Sequence, residues 1–504
     1  MHTQGAVALF GDLHNHCGIS YGHGDLRDAL ANAALRLDFV SITGHADWPD
    51  MDADDPRISH IVAFHQKGFA KLRSLWDRHL SDLAAFEAER GVITFPGYEI
   101  HSNEHGDYTI VGREHDLRMV LADSPMELRG VFRERVGKQS PPPVIMFPHH
   151  LGYRPGARGV NWDSFDEAFS PVVEVYSMHG LAESDRSDKP SLHSMGPFQA
   201  YGTVQRGLSL GHRFGVLGNT DHHSGHPGSY GHGMSGVWST SRDREDVWSA
   251  INERRSWAMT GDTVRLWFEV DGLPMGSVVP GGLAGRPARI EVEATAPIDY
   301  VELVVDGRRE GLWWQAPAGG GAAGEVFVGL ELGWGERGVP FTWDVTMEVD
   351  GGTIAEVIPR FRGPEVVSPL DRKGDTIPTN HASWWLDDER RVSFRTMTWG
   401  NMTNSTPSTQ GLALRLECGR DSSVGVAMNA RDERHRIADL LAGSRSGNLG
   451  PIDSPAFLFT AVPVAECSRS VFATIDARRP ASWAYARVRL TNGHWAISSP
   501  VFAG

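Results

Sequence analysis

The chain has 504 residues, 40% of them apolar and 22% charged, with a formal net charge of −15 at pH 7. That length exceeds what one hydrophobic core serves, so two or three domains are expected, and the acidic balance excludes a nucleic-acid groove as the main surface. Three scattered cysteines (Cys17, Cys418, Cys467) exclude a disulfide framework, no apolar run approaches the length of a membrane span, and no amino-terminal basic-then-apolar signal is present, so a reducing cytoplasm is the expected location.

The first half carries six short apolar runs, each leading to histidine or carboxylate. Ala8-Leu9-Phe10 leads to Asp12-Leu13-His14-Asn15-His16. A helix over Asp25 to Leu35 follows, with Asp25 as a candidate N-cap. Phe39-Val40-Ser41-Ile42-Thr43 leads to His45. Ile58 to Arg90 reads as a long amphipathic helix, with Ile61, Phe64, Phe69, Leu72, Leu75, Trp76, Leu80 and Leu83 on its apolar face and His60, His65 and His79 as solvent-facing or packing residues. Val92-Ile93-Thr94-Phe95 leads to Tyr98-Glu99, with His101 and His105 beyond it as outer supports or loop residues. Val144-Ile145-Met146-Phe147 leads to His149-His150, Val172-Val173-Glu174-Val175 towards His179, and Phe214-Gly215-Val216-Leu217 to Asp221-His222-His223. A helix at Arg244 to Arg255 closes this half near Gly261. Runs of this kind read as buried parallel strands. Polar residues at successive carboxyl ends point to one face, where α/β barrels keep their chemistry.

Histidine follows the same division. Twenty of the 23 histidines lie between His2 and His232, and the others are His381, His435 and His494. Enrichment confined to one part of the chain is what a multinuclear metal site produces. The loop Gly225 to Gly233, with His226 and His232, follows the last histidine motif and reads either as a cover for substrate or as a Gly-rich surface turn.

From about Leu266 the texture changes to short alternating runs separated by turn signals such as Asp306-Gly307 and Asp350-Gly351, an all-β pattern expected to form a sandwich. The expected division is 1–262 and 263–504, the latter as two units (263–365 and 380–504). Ala318 to Gly324 reads as a flexible loop, and Arg360 to Thr379 as a divider. Trp483 to Phe502 supplies two more strands, expected to pair back onto the earlier β region. Trp313-Trp314 and Trp384-Trp385 read as packing residues in preference to sugar-stacking ones.

Gly11-Asp12-Leu13-His14-Asn15-His16, Ile42-Thr43-Gly44-His45 and Asp221-His222-His223, in this order and spacing, resemble the motifs of the PHP (polymerase and histidinol phosphatase) superfamily over most of residues 8 to 262. The continuation through Trp257-Ala258-Met259-Thr260-Gly261-Asp262 into a β-rich tail resembles a bacterial branch of it. The resemblance implies a distorted (β/α)7 TIM-like barrel, two or three divalent metal ions (zinc, manganese or iron) and hydrolysis of phosphate esters. By motif, His14, His16 and Asp221 resemble the ligands of a first metal and Glu99 the bridging carboxylate. His149 and His179 resemble ligands of a second metal, and His45, His223 and His23 those of a third. Three departures stand out. Ser20-Tyr21-Gly22 lacks an acidic group, Thr43-Gly44-His45 lacks an aspartate, and His149-His150 replaces a His-Pro, which leaves open which of the pair is a ligand.

The residue types suit the chemistry on their own account. Imidazoles and carboxylates suit borderline and hard divalent cations. His14 and His16 stand at i and i+2, so both can reach one ion. Cations shared by a carboxylate such as Glu99 would lower the pKa of water and neutralise charge on substrate oxygens. Glu99, Asp221 and His179 are the expected catalytic residues, and Arg154, Arg158 and Arg186, with Arg27 a further candidate, the expected phosphate clamps. The expected partner is a small-molecule substrate, with no nucleic acid and no membrane, and a homo-oligomer is compatible with the sequence. Two other readings stand beside phosphoester hydrolysis: metal-dependent cleavage of an amide, lactone or sulfate ester, and a non-catalytic metal-containing binding module.

Overall fold

The computed structural model describes residues 3, 5–136, 141–189, 191, 193, 195–316, 324–364, 382–401, 407–429 and 431–504. The flexible loop expected at 318–324, apart from Gly324, and most of the divider expected at 360–379 lie outside the described residues.

All six apolar runs are strands. In chain order the first half comprises β1 (Val7–Asp12), α1 (Leu26–Ala33), β2 (Phe39–Val40), β3 (Thr43–Asp47), α2 (Ser59–Arg90), β4 (Ile93–Thr94), β5 (Gly97–Ile100), β6 (Tyr108–Gly112), α3 (Pro125–Val136), β7 (Val144–Pro148), β8 (Val172–Ser177), β9 (Gly180–Leu181), α4 (Val204–Ser209), β10 (Gly215–Gly218), β11 (Met234–Ser239), α5 (Arg244–Asn252) and β12 (Ser256–Met259). Within α2, Val62, His65, Phe69, Leu72, Trp76, His79 and Leu83 are buried at alternating spacings of three and four, so one stripe faces the core. His65 and His79 belong to that stripe, while His60 is exposed. Gly91, at φ 72°, ends the helix in the left-handed conformation that glycine adopts without a Cβ penalty.

The expected (β/α)7 barrel does not form. β1–β2–β4, β3–β5 and β8–β10 pair in parallel, but β6 pairs antiparallel to both β5 and β7, and β11 antiparallel to both β1 and β12. β3–β5–β6–β7 is one sheet, β10–β8–β9 another, and β12–β11–β1–β2–β4 part of a third, so the ladders do not close on themselves. A barrel of parallel strands needs a crossover between each pair of neighbours. The return strand β6 and the antiparallel β11 replace two such crossovers, and the chain is β-rich with six α-helices among the described residues.

The second half is antiparallel except where Val278–Val279 pairs in parallel with Val501–Ala503. Strands Phe341–Pro359 and Gln410–Met428, 19 residues each, pair along most of their length in an eight-stranded sheet, which encloses a core including Trp343, Met347, Phe394, Leu414 and Phe459. A four-stranded sheet containing Val264–Val270 and Pro287–Ala294 shares a core with the first half: Leu266, Phe268 and Ile290 pack in one cluster with Phe10, Trp238 and Trp257. Of the two carboxyl-terminal strands expected, Trp483–Leu490 pairs with Ile298–Val305, as anticipated, whereas Trp495–Ser498 pairs with β12. Trp384 donates its indole N–H to the Leu35 carbonyl, a packing role between the two halves, while Trp314 and Trp385 are exposed. No helix among the described residues is long and apolar enough to cross a membrane.

Candidate metal centre

The site is built where the ends of β1, β3, β5, β7, β8 and β10 meet. The Asp12 carboxylate, at the end of β1, accepts from the Thr220 hydroxyl and from the backbone N–H groups of His14, Thr220 and Gly228. This ties the loop after β1 to the loop after β10. Burial pushes Asp12 up to about 6 although those hydrogen bonds pull the other way. The two loops are also joined backbone to backbone: Asp221 N–H donates to the His14 carbonyl (2.8 Å), His16 N–H to the His222 carbonyl (2.8 Å) and Gly225 N–H to the His16 carbonyl (3.0 Å). On the other side Asn15 donates its amide to the Ser41 carbonyl at 2.7 Å. Gly233, at φ 134°, permits the approach of the loop before β11, because a Cβ there would stand 1.9 Å from the Asn219 carbonyl oxygen.

Held this way, the donor atoms converge. His16 Nε2 lies 3.2 Å from His14 Nε2 and 2.9 Å from Asp221 Oδ1. Both histidines approach Glu99 Oε2 at 3.2 Å. With metal–ligand bonds of about 2.0–2.1 Å, neighbouring ligands of a tetrahedral ion sit about 3.3 Å apart, so these separations fit ligand-to-ligand edges. His45 Nε2 approaches Glu99 Oε2 at 3.4 Å, and the other oxygen, Oε1, faces His149 Nε2 at 3.1 Å and His101 Nδ1 at 3.0 Å. Asp221 Oδ2 faces His150 Nε2 at 2.8 Å and His179 Nε2 at 2.9 Å. Five overlapping groups result: His14, His16, Glu99 and Asp221; His16, His45 and His223; His45, Glu99 and His101; Asp107, His149 and His150; and His150, His179 and Asp221.

An outer ring orients these groups. His14 Nδ1 meets Glu174 Oε2 at 2.8 Å, His149 Nδ1 meets the Thr109 hydroxyl at 3.0 Å, His150 Nδ1 meets Asp107 Oδ2 at 2.9 Å, and His179 Nδ1 meets the Tyr153 hydroxyl at 3.3 Å. Partners of this kind fix the ring and leave the opposite nitrogen for a cation. His150 (φ 51°), Arg158 (φ 68°) and Asp221 (φ 49°) all adopt the left-handed conformation. It costs a non-glycine residue about 1–3 kcal/mol and persists where the surroundings impose it.

The site concentrates buried charge of both signs. Four buried carboxylates, Glu99, Asp107, Glu174 and Asp221, gather here with Arg158 as the buried guanidinium, whose Nη2 lies 2.6 Å from Asp107 Oδ2. Despite burial, Glu99 is held well below the carboxylate range by His45, His101 and His149, Asp107 by Arg158 and His101, and Asp221 by His14 and His179. Burial opposes protonation of His14, yet Asp221 and Glu174 drive it well above the ordinary histidine value, and Asp107 and Asp221 likewise raise the buried His150 to about 9. Burial, reinforced by His16, holds His45 and His223 well below it, and burial with His14 brings His149 to about 4. His45, His149 and His223 are thus neutral beside ionised acids, the state that metal ligands require, whereas His14, His16 and His150 hold protons that a bound cation would displace. His16 Nδ1, His45 Nδ1, His179 Nε2 and His223 Nδ1 are buried without hydrogen-bond partners, and for His179 the 2.9 Å approach to Asp221 is not aligned for one. Buried charges and orphaned nitrogens are costly unless something binds them, and divalent cations fit this donor set.

Of the residues singled out in the sequence, His14, His16, His45, Glu99, His149, His150, His179, Asp221 and His223 are all brought into these groups; His23 is in none of them, and its backbone N–H donates to the His223 carbonyl. Arg158 is turned inward onto Asp107 and His101, whereas Arg154 and Arg186 are exposed. The loop 225–233 is not a surface turn: His226, Ser229, Tyr230 and His232 are buried, and Tyr230 N–H donates to the Phe361 carbonyl of the second half. Sequence reasoning missed Asp107, the role of Glu174 and the inward place of His101. Glu174, a lone acid in the run Val172 to Val175, was the available signal, since unpaired acids are rarely buried.

No protein-family model matches the chain. An uncharacterized protein of Chlamydia muridarum is 27% identical over 168 residues, 30% of this chain and 27% of its own length. Another, of Chlamydia trachomatis, is 28% identical over 165 residues, 29% and 26% of the two chains. The matched stretch thus spans about a quarter of these relatives. Among solved structures, a two-domain protein of Bacteroides vulgatus, described as containing a predicted PHP-like metal-dependent phosphoesterase, is similar at 14% identity and a TM-score of 0.34, covering 60% of this chain and 80% of that one. That likeness is too distant to fix either fold or activity.

Proposed function

We propose that this chain is a metal-dependent hydrolase acting on a phosphate mono- or diester, with residues 1–262 supplying the metal-binding unit. The observation that carries the reading is the convergence of His14, His16, Glu99 and Asp221, from three separate stretches of sequence, into one buried donor group, with three further groups sharing its members and a fourth joined to them through His150. Divalent cations bound there would lower the pKa of water towards neutrality and offset charge on the oxygens of a phosphate ester.

The chain's own residues set the geometry. Glu99 presents one oxygen to His14, His16 and His45 and the other to His101 and His149, so each of its oxygens could help to hold a cation. Asp221 in the same way faces His16 through Oδ1 and His150 and His179 through Oδ2. Glu174, Thr109, Asp107 and Tyr153 hold the imidazoles from behind. The near-complete burial of Glu99 and Asp221 keeps bulk water from competing for the donors and strengthens every charge interaction within the site. Two or three ions are compatible with five overlapping groups.

The test is release of inorganic phosphate from a panel of mono- and diesters by protein loaded with Mn²⁺, with metal content measured in parallel. Wild-type protein is expected to turn over at least one ester, and His14→Ala and Asp221→Ala to lose metal and activity together. Full activity in both variants refutes the site. Metal retention in wild type, with cleavage of amides, lactones or sulfate esters alone, refutes the phosphate assignment.

A further inference from the structure

Next to the donor groups lies a cavity of about 840 Å³ walled by both halves of the chain. Met178 and Gly180, on either side of His179, line it, and so does His193, whose ring centre is 4.9 Å from that of His179. The cavity therefore shares a wall with the group formed by His150, His179 and Asp221. Its lining carries three cations, Arg360 and Arg362 from the second half and Lys189 from the first, against two acids, Asp188 and Glu331. The Arg360 and Arg362 guanidinium carbons stand 5.6 Å and 4.6 Å from the centre of the Tyr230 ring, which fixes where both charges sit. Asp262 pairs with Arg360 at 2.8 Å, Glu331 also acts on Arg360 and accepts from the Thr409 hydroxyl, Asp188 beside Lys189 is taken up by Arg489 outside the cavity, and Arg362 donates through Nη1 to the Tyr230 carbonyl at 2.7 Å. His232 also lines the cavity, and its buried Nδ1 has no hydrogen-bond partner.

We infer that this cavity holds the part of the substrate remote from the scissile bond, and that the substrate is a small organic molecule with a second anionic group, carboxylate or phosphate, received by Arg362, Lys189 and His232. The volume lies within the range of about 300–1,000 Å³ usual for small-molecule sites and exceeds what a bare phosphate needs. Arginine suits such a group because its planar fork binds a carboxylate or phosphate through two hydrogen bonds. The inference rests on the hydrolase reading for the word substrate, but the anion site stands or falls by itself.

The experiment is calorimetric titration of the full chain with two non-hydrolysable probes, 3-phosphonopropionate, which carries a second anion, and propylphosphonate, which does not. It is run on metal-free and on Mn²⁺-loaded protein. The dianion is expected to bind metal-free protein, and to be preferred over the monoanion by about tenfold or more. That preference is expected to vanish in Arg362→Gln, to be partly kept in Arg362→Lys and to persist in Arg154→Gln, with melting curves showing all variants folded. Lys189→Gln gives an independent reading and is expected to weaken the dianion alone. Equal affinity for the two probes, no binding of either, or a preference unchanged in both Arg362→Gln and Lys189→Gln overturns the anion site. A preference that survives while Mn²⁺ tightens neither probe leaves the anion site standing and removes the metal reading.

Discussion

Glu174 separates a metal site from a merely polar core. Its Oε2 meets His14 Nδ1 at 2.8 Å and also accepts from the Asn219 side-chain amide at 2.9 Å, and the same Asn219 accepts from Leu13 N–H at 2.8 Å through its own oxygen. Because both bonds fall on one carboxylate oxygen, the amide oxygen of Glu174→Gln can accept both. The substitution removes the charge and leaves the geometry. Losing such a partner typically weakens metal binding by about 10–100-fold, or about 1.4–2.8 kcal/mol. Glu174→Gln is expected near the lower figure, and Glu174→Ala, which also frees His14 and Asn219, near the upper. The assay is competition for Mn²⁺ or Zn²⁺ against a chromophoric chelator, with melting curves to show that each variant is folded. Affinity unchanged in Glu174→Gln, or an alanine variant that binds as tightly as the glutamine one, refutes the reasoning.

Asp107→Asn removes the 2.6 Å ion-pair partner of the buried Arg158 and leaves it the 4.0 Å approach to Glu99, so a loss of about 3–5 kcal/mol is expected in denaturant unfolding. Arg154→Ala and Arg186→Ala alter exposed side chains, so each is expected to change stability by under about 0.5 kcal/mol and to leave KM for any ester substrate unchanged. Chelator treatment is expected to lower the melting temperature and added Mn²⁺ to restore it, because a ligand bound by the folded state alone stabilises that state. Asp262 is buried, yet Arg360 holds it down to about 2, below its ordinary value of 3.8. A depressed carboxylate contributes its stability above the unfolded value and loses it as pH falls through the folded one. The stability gap between wild type and Asp262→Asn is therefore expected to be constant above about pH 5 and to close between about pH 4 and 2, followed by denaturant titration.

The strand ends were legible because apolar runs such as Val144 to Phe147 stop abruptly at histidine or acid, and that boundary survives folding. The closed barrel was not, because Tyr108-Thr109-Ile110-Val111-Gly112 stands outside the six runs. That segment is β6, and its antiparallel place between β5 and β7 ends the parallel order. A strand's direction depends on the partner it finds, which alternation within one segment does not encode. Asp107 went unseen for the same reason, since it immediately precedes β6. His101 and Arg158 follow ligand motifs in the sequence, His101 read there as an outer support or loop residue and Arg158 as a phosphate clamp. Their inward orientation depends on Arg158 standing at positive φ and on Asp107 receiving it, neither of which spacing reveals. The spacing of His14 and His16 did carry over. Their nitrogens converge just past the end of β1, and the contact is made by backbone bonds to the loop after β10, far away in sequence.

Anomalous diffraction from crystals grown with Mn²⁺, collected on both sides of the manganese edge, tests the central claim most directly. Two or three peaks are expected within about 3 Å of the nitrogens and oxygens of His14, His16, Glu99 and Asp221 and their neighbouring groups. Crystals that show no anomalous density among those donors contradict the metal centre and the hydrolase built on it.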